Sequence, residues 1–178
     1  MTRTLFFDTE TTDLISNTLL PLDKQPRIIE FFGQIVDENG NKLQELEFYC
    51  NPGIIISETV TKITGIKTED VKNEPPFSAR ADEVIALIES ADEIAAHNLS
   101  YDMFVVDADL ARIKKTVKWP KKQICTVENT EWMCGFRLSL SNLYERLFGE
   151  PFSGAHRARA DVEALTKCFL HLRSAGDI

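Results

Sequence analysis

Residues 5–14 read LFFDTETTDL. Three apolar β-formers, Leu5, Phe6 and Phe7, run straight into Asp8, Glu10 and Asp13. Residues 3–8 read as a first strand; side chains along it alternate faces, so Phe6, Asp8 and Glu10 point the same way if the strand persists that far. Two carboxylates aimed together from the end of an apolar strand repel, and desolvation adds to the penalty. A divalent cation removes it, because hard oxygen ligands suit Mg2+ or Mn2+. A D-x-E triplet is also common at a solvated strand end or a cap, so its meaning depends on the rest of the chain.

Beyond this strand, IIEFFGQIVD (28–37) and KLQELEFYCN (42–51) flank the polar turn ENGN and predict a β-hairpin. SETVTKITG (57–65) predicts a short helix with Ser57 as N-cap and Gly65 as terminator. In ARADEVIALIESA (79–91), Val84, Leu87, Ile88 and Ala91 recur at helical spacing. EIAAHN (93–98) reads as a strand, residues 100–115 as a helix, and QICTVEN (123–129) as a strand again. Ser139 to Phe148 and Arg157 to Arg173 complete the chain as helices. A meander followed by alternating helices and strands implies an α/β sandwich on a mixed sheet, parallel where helices intervene.

The 178 residues have the length of one ordinary domain, and the expectation is a single domain over 1–178. No apolar run approaches the roughly 18 residues of a membrane span, and no signal peptide is legible, so a cytoplasmic protein without membrane contact is expected. Cys50, Cys125, Cys134 and Cys168 show no C-x-x-C pair, which argues for reduced thiols rather than a zinc site or disulfide framework. The net charge of −8 excludes nucleic-acid binding by bulk electrostatics alone. Any such contact needs bound cations or a local basic patch, and KKTVKWPKK (114–122) is the densest one.

Two further acids lie on apolar helix faces. Asp102 shares a face with Val105 and Val106, where an N-terminal dipole partner is the commoner explanation. Asp109 stands on the order of 10 Å further along, too far to share a metal with Asp102. Asp161 heads the stripe Ala164, Leu165, Cys168, Phe169 and Leu172, and His156 precedes it by five residues. Each signal is weak alone. Together, acids from three elements and one His form the set that two-metal phosphodiester chemistry requires.

DTETTD (8–13), HNLSYD (97–102) and HRARAD (156–161), in this order, resemble the three motifs of the DnaQ-like DEDDh 3′–5′ exonucleases. The likeness runs from Thr4 to about Leu172. LSLSNLYERLFGEPFSGAHRARADVEAL (138–165) is similar to the third-motif region, and KITGI (62–66) to a substrate-contacting segment. H-x-A-x-x-D points to the histidine subclass. The resemblance implies a ribonuclease H-like fold, a mixed five-stranded sheet flanked by helices on both faces. It implies Asp8, Glu10, Asp102 and Asp161 as ligands of two Mg2+, with Mn2+ able to substitute, and His156 as general base. Imidazole's reference pKa of about 6.5 suits that task near neutral pH. Thr11 would meet the terminal sugar, Ile63 would wedge beside the terminal base, and His97, Asn98 and Tyr101 would line the nucleotide pocket. Lys114, Lys115, Lys118, Lys121 and Lys122 could track phosphates, with Arg137, Arg157 and Arg159 as weaker candidates.

The family usually carries Gly where this chain has Asp13, for which a turn-shaping role is expected. The expected activity is release of nucleoside 5′-monophosphates from 3′ ends, on single-stranded DNA, by a stand-alone or repair nuclease. RNA trimming is the alternative. A non-catalytic nucleic-acid-binding module is disfavoured, because all five motif residues are present.

Overall fold

The computed structural model describes residues 2–178. The elements in chain order are β1 (Thr4–Thr11), β2 (Ile28–Val36), β3 (Lys42–Tyr49), α1 (Glu58–Thr64), α2 (Thr68–Val71), α3 (Ala81–Glu89), β4 (Glu93–Ala96), α4 (Leu99–Arg112), β5 (Lys122–Cys125), α5 (Thr126–Thr130), α6 (Leu140–Phe148) and α7 (Ala158–Ala175). The strands form one mixed sheet in the order β3-β2-β1-β4-β5. The meander β1–β2–β3 is antiparallel, while β4 joins β1 and β5 joins β4 in parallel. This is the five-stranded ribonuclease H-like sheet that the motifs implied.

Alternation along β1 builds both cores. Leu5 and Phe7 pack with Phe31, Leu87, Val105 and Val106, beneath α3 and α4. Phe6 turns the other way onto α7, edge-on to Phe169 at 4.8 Å between ring centroids. Each fully buried Phe removes enough apolar surface from water to stabilise the fold by about 2–3 kcal/mol. At Gly33 a Cβ would lie 2.9 Å from Leu87 Cδ2, so the bare backbone lets α3 approach β2. Ser57 caps α1 by accepting from Val60 N, and Gly65 ends it with φ +76°, as the sequence predicted.

Two strand ends depart from expectation. β1 extends to Thr11 because β2 pairs with it to that point, with an irregularity between Glu10 and Thr11. The strand expected over 123–129 stops at Cys125 and turns into α5. Thr126 and Val127 look strand-forming, but Thr126 Oγ1 bonds His97 Nδ1 at 2.9 Å and Thr130 Oγ1 donates to Thr126 O at 2.7 Å. These side-chain bonds close a helical turn where the last β-ladder partner runs out.

The parallel register sets the geography. β1 and β4 finish at one edge of the sheet, where α4 begins and where ligands bind in parallel α/β sheets. At the opposite edge Thr4 aligns with Glu93, and Glu93 with Lys122. Residues 114–121 lead into β5 there, so the expectation that these lysines track phosphates beside the acids is corrected. Lys115 pairs with Asp82 at 2.5 Å, Lys122 pairs with the buried Glu93 at 2.6 Å, and Trp119 stacks on Phe7 at 5.8 Å.

Candidate active site

β1 carries Asp8 and Glu10 on the face that α7 covers, and α7 brings Asp161 to them from its first turn. Carboxylate oxygens of Asp8, Glu10 and Asp161 lie within 4.8 Å of one another. Asp102 stands in the first turn of α4, 2% exposed, and its Oδ1 accepts from both Thr9 N (3.0 Å) and Thr9 Oγ1 (2.7 Å). The residue between Asp8 and Glu10 is thus tied to the fourth acid. Asp102 and Asp161 both sit at helix N-termini, where the dipole favours negative charge.

Burial first, and mutual repulsion second, drive these carboxyls upward. Asp8 is held well above the usual carboxylate range by burial, then by Asp102, Glu10, Asp161 and Glu30. Glu10 is pushed up to about 8 by burial and by Asp161, Glu30 and Asp102. Burial raises Asp102 to about 7 against the lowering effect of its Thr9 bonds, and raises Asp161 to about 6 against its bond from His156. Hard oxygen donors that repel one another this strongly fit divalent cations, whose charge removes the repulsion.

His156 is exposed at the mouth of this cluster. Its backbone N–H donates to Asp161 Oδ2 at 3.0 Å, and its φ of +67° lies in the left-handed region. Beside it opens a cleft of about 310 Å³ whose walls include Glu10, Thr11, Leu14, Ile63, Tyr101 and His156. Leu14 and Ile63 are 76% and 53% exposed there, an apolar pair on opposite elements. Thr11 Oγ1 and the Tyr101 hydroxyl lie 2.5 Å apart, and both donate toward Asp13 O, at 2.7 and 2.9 Å. The Asp13 side chain accepts from Leu14 N at 2.8 Å, so it serves the turn.

Not every expected substrate contact gathers here. His97 turns into the protein, with Nδ1 on Thr126 Oγ1 (2.9 Å) and Nε2 on Leu138 O (3.0 Å). Burial pushes its pKa down to about 4, so the neutral ring joins β4 to α5 and the 131–138 loop rather than lining the cleft. Asn98 is exposed and left-handed (φ 76°) at the start of α4, outside the cleft walls. Among the weaker basic candidates, Arg137 faces Glu128, Arg157 pairs with Glu30, and Arg159 pairs with Glu47.

Two participants escaped the sequence reading. Leu14 was visible in DTETTDL but carried no pattern of its own. Glu30 is the single charge within IIEFFGQIV, is 1% exposed, and aligns directly with Glu10 across β1 and β2. A lone acid in a wholly buried strand was the available signal.

A family model described as Exonuclease matches residues 5–169. The 3′-5′ exonuclease DinG of Bacillus subtilis is 31% identical over 155 residues, 84% of this chain and 16% of the relative. A PolC-type DNA polymerase III of Pediococcus pentosaceus is 28% identical over 96% of this chain and 11% of its own length. The chain therefore spans less than a fifth of these relatives. Among solved structures, E. coli exonuclease I in complex with a dT13 oligonucleotide matches 98% of this chain and 41% of its own, at TM-score 0.78 and 19% identity. The nuclease domain of 3′hExo, a DEDDh family member bound to rAMP, matches 98% and 92% at TM-score 0.79 and 16% identity.

Proposed function

Because the chain belongs to the DnaQ-like DEDDh exonuclease family, we propose that it hydrolyses phosphodiester bonds one at a time from the 3′ end of single-stranded DNA, releasing nucleoside 5′-monophosphates. The observation that carries this is the convergence of Asp8, Glu10 and Asp161 within 4.8 Å, beside an exposed imidazole and a cleft with apolar walls.

Asp8, Glu10, Asp102 and Asp161 would hold two divalent cations, Mg2+ with Mn2+ able to substitute. When bound, such ions neutralise the scissile phosphate, acidify the attacking water and stabilise the departing oxygen. His156 takes the water's proton as its oxygen bonds to phosphorus, and the bond to the 3′-oxygen of the penultimate nucleotide breaks. That oxygen leaves as an alkoxide, takes a proton from solvent water and becomes the hydroxyl of the next 3′ end. Leu14 and Ile63 flank the terminal base, a contact that tolerates every base because each has an apolar face. Thr11 and Tyr101, locked together on Asp13 O, offer hydroxyl oxygens to the terminal sugar.

Digestion of matched 3′-tailed DNA and RNA, with Mg2+ or Mn2+, tests this reading. Mononucleotide laddering of the DNA, abolished by EDTA, is expected. Faster laddering of RNA would transfer the assignment to exoribonuclease, and no laddering with either metal would sink the catalytic reading.

A further inference from the structure

One charged pair beside the site has no part in the chemistry above. Glu30 accepts from Arg157 Nε (3.2 Å) and Nη2 (3.0 Å), so the guanidinium grips the carboxylate with both prongs. Its Oε2 also accepts from Ala158 N at 3.2 Å, meeting one of the unpartnered N–H groups at the start of α7. Across the β2–β3 ladder Glu30 aligns with Tyr49, whose hydroxyl bonds Arg157 Nη2 and whose ring lies 5.6 Å from the guanidinium carbon. Arg157 is thus held by two adjacent strands at once.

Arg157 directly follows His156. The segment before α7 turns sharply, with Gly154 at φ +82° and His156 at φ +67°. A left-handed histidine is a sparsely populated conformation that its surroundings must hold in place. Its surroundings are two anchors. The His156 N–H binds Asp161, and the next side chain is clamped to the sheet. Glu30 meanwhile pushes the Asp8, Glu10 and Asp161 carboxyls upward, so its charge opposes the acidic cluster. A neutral acceptor could cap α7 without that repulsion. What a carboxylate adds is a match to the planar fork of an arginine.

We infer that Glu30 and Arg157 are a positioning pair for the general base, clamping the start of α7 to the sheet so that the His156 imidazole faces the acidic cluster. The inference rests on the exonuclease reading for its kinetic consequence, while the clamp itself is a property of the free protein.

Two measurements test it. In single-turnover hydrolysis with saturating Mg2+, Arg157→Gln should lower the maximal rate about 10- to 100-fold with the half-saturating DNA concentration nearly unchanged, the scale of a misplaced catalytic group. Arg157→Lys keeps the charge but not the fork and should stay similarly low; full recovery would reduce the pair to charge compensation and overturn the inference. Placed in a His156→Ala background, Arg157→Gln should remove less than about a further threefold, because residues acting as a unit are not additive. Multiplying losses would mean that the pair acts elsewhere. Amide hydrogen exchange, without metal or substrate, is the second measurement. Residues 155–159 should exchange faster in both Arg157→Gln and Glu30→Gln, by more than the core amides of β1 that report any global loss of stability, and exchange unchanged relative to those amides would overturn the clamp. A wild-type protein inert toward 3′ ends sinks only the exonuclease reading, since exchange still decides the clamp.

Discussion

Glu10, pushed up to about 8, and Asp161, pushed up to about 6, are carboxyls that the fold prefers protonated when no cation is present. A carboxyl whose folded pKa exceeds its unfolded value supports the fold fully below the unfolded value. That support disappears as pH rises through the folded value. With unfolded carboxyls near about 4, the metal-free chain should lose stability from this cluster between about pH 4 and pH 8. Asp161→Asn should therefore raise the metal-free melting temperature at pH 8 by about 2–4 °C. The gain should shrink toward pH 4.5, and the variant should lose the further rise expected of wild type in Mg2+. A less stable Asn variant at pH 8 in differential scanning calorimetry would contradict this account. Alternation along β1 already showed Asp8 and Glu10 facing together. The size of the repulsion was not legible, because Glu30 and Asp102 join it only through strand register and helix docking.

At the scale of elements, α4 does two jobs with its two ends. Its first turn presents Asp102, while its last turns clasp the segment between β1 and β2. Asp109 Oδ2 accepts from Ile28 N at 2.9 Å, and Asp109 Oδ1 pairs with Arg112 Nη1 at 2.5 Å. Arg112 Nη2 then donates to Leu22 O (2.6 Å), Gln25 O (2.8 Å) and Pro26 O (3.2 Å). The Asp109 side chain is 7% exposed and that of Arg112 15%, so breaking the pair leaves a buried guanidinium and a buried N–H without their partner. Asp109→Ala should destabilise by roughly 3 kcal/mol in urea unfolding, the magnitude seen when one member of a buried pair is removed. Turnover per folded molecule should be preserved, because Asp102 lies about two turns away. Helical spacing found α4, though it ran the helix on to residue 115 where the structure ends it at Arg112, and kept Asp109 out of the metal set. The misread end of β5 shows the limit of local preference: Thr126 is β-branched, yet a bond to His97, just past the end of β4, recruits it into α5.

Across the whole molecule, the net charge of −8 stands against a proposed substrate that is itself a polyanion. The lysine-rich stretch occupies the sheet edge away from the site, and the arginines nearer to it are paired with Glu30, Glu47 and Glu128. Few protein cations remain to displace counterions from a bound strand. Oligonucleotide affinity of a His156→Ala variant in Mg2+ should fall shallowly with KCl, with a log–log slope of about −1 at most. Fluorescence anisotropy across a salt series measures it, and a slope of about −4 would reveal a basic track.

The sequence by itself determined which way each acid faces on its own element. Period-two alternation put Asp8 and Glu10 with Phe6, and helical spacing put Asp102 and Asp161 on packed faces. Motif order then carried the family and the sheet. Only the tertiary structure decided which charges became neighbours: Glu30 opposite Glu10, Arg157 locked onto Glu30, His97 turned inward, and the lysines sent to the far edge. Periodicity is a property of a few consecutive residues. The Arg157–Glu30 contact joins positions 127 residues apart, so it exists only once strand register and helix docking are set.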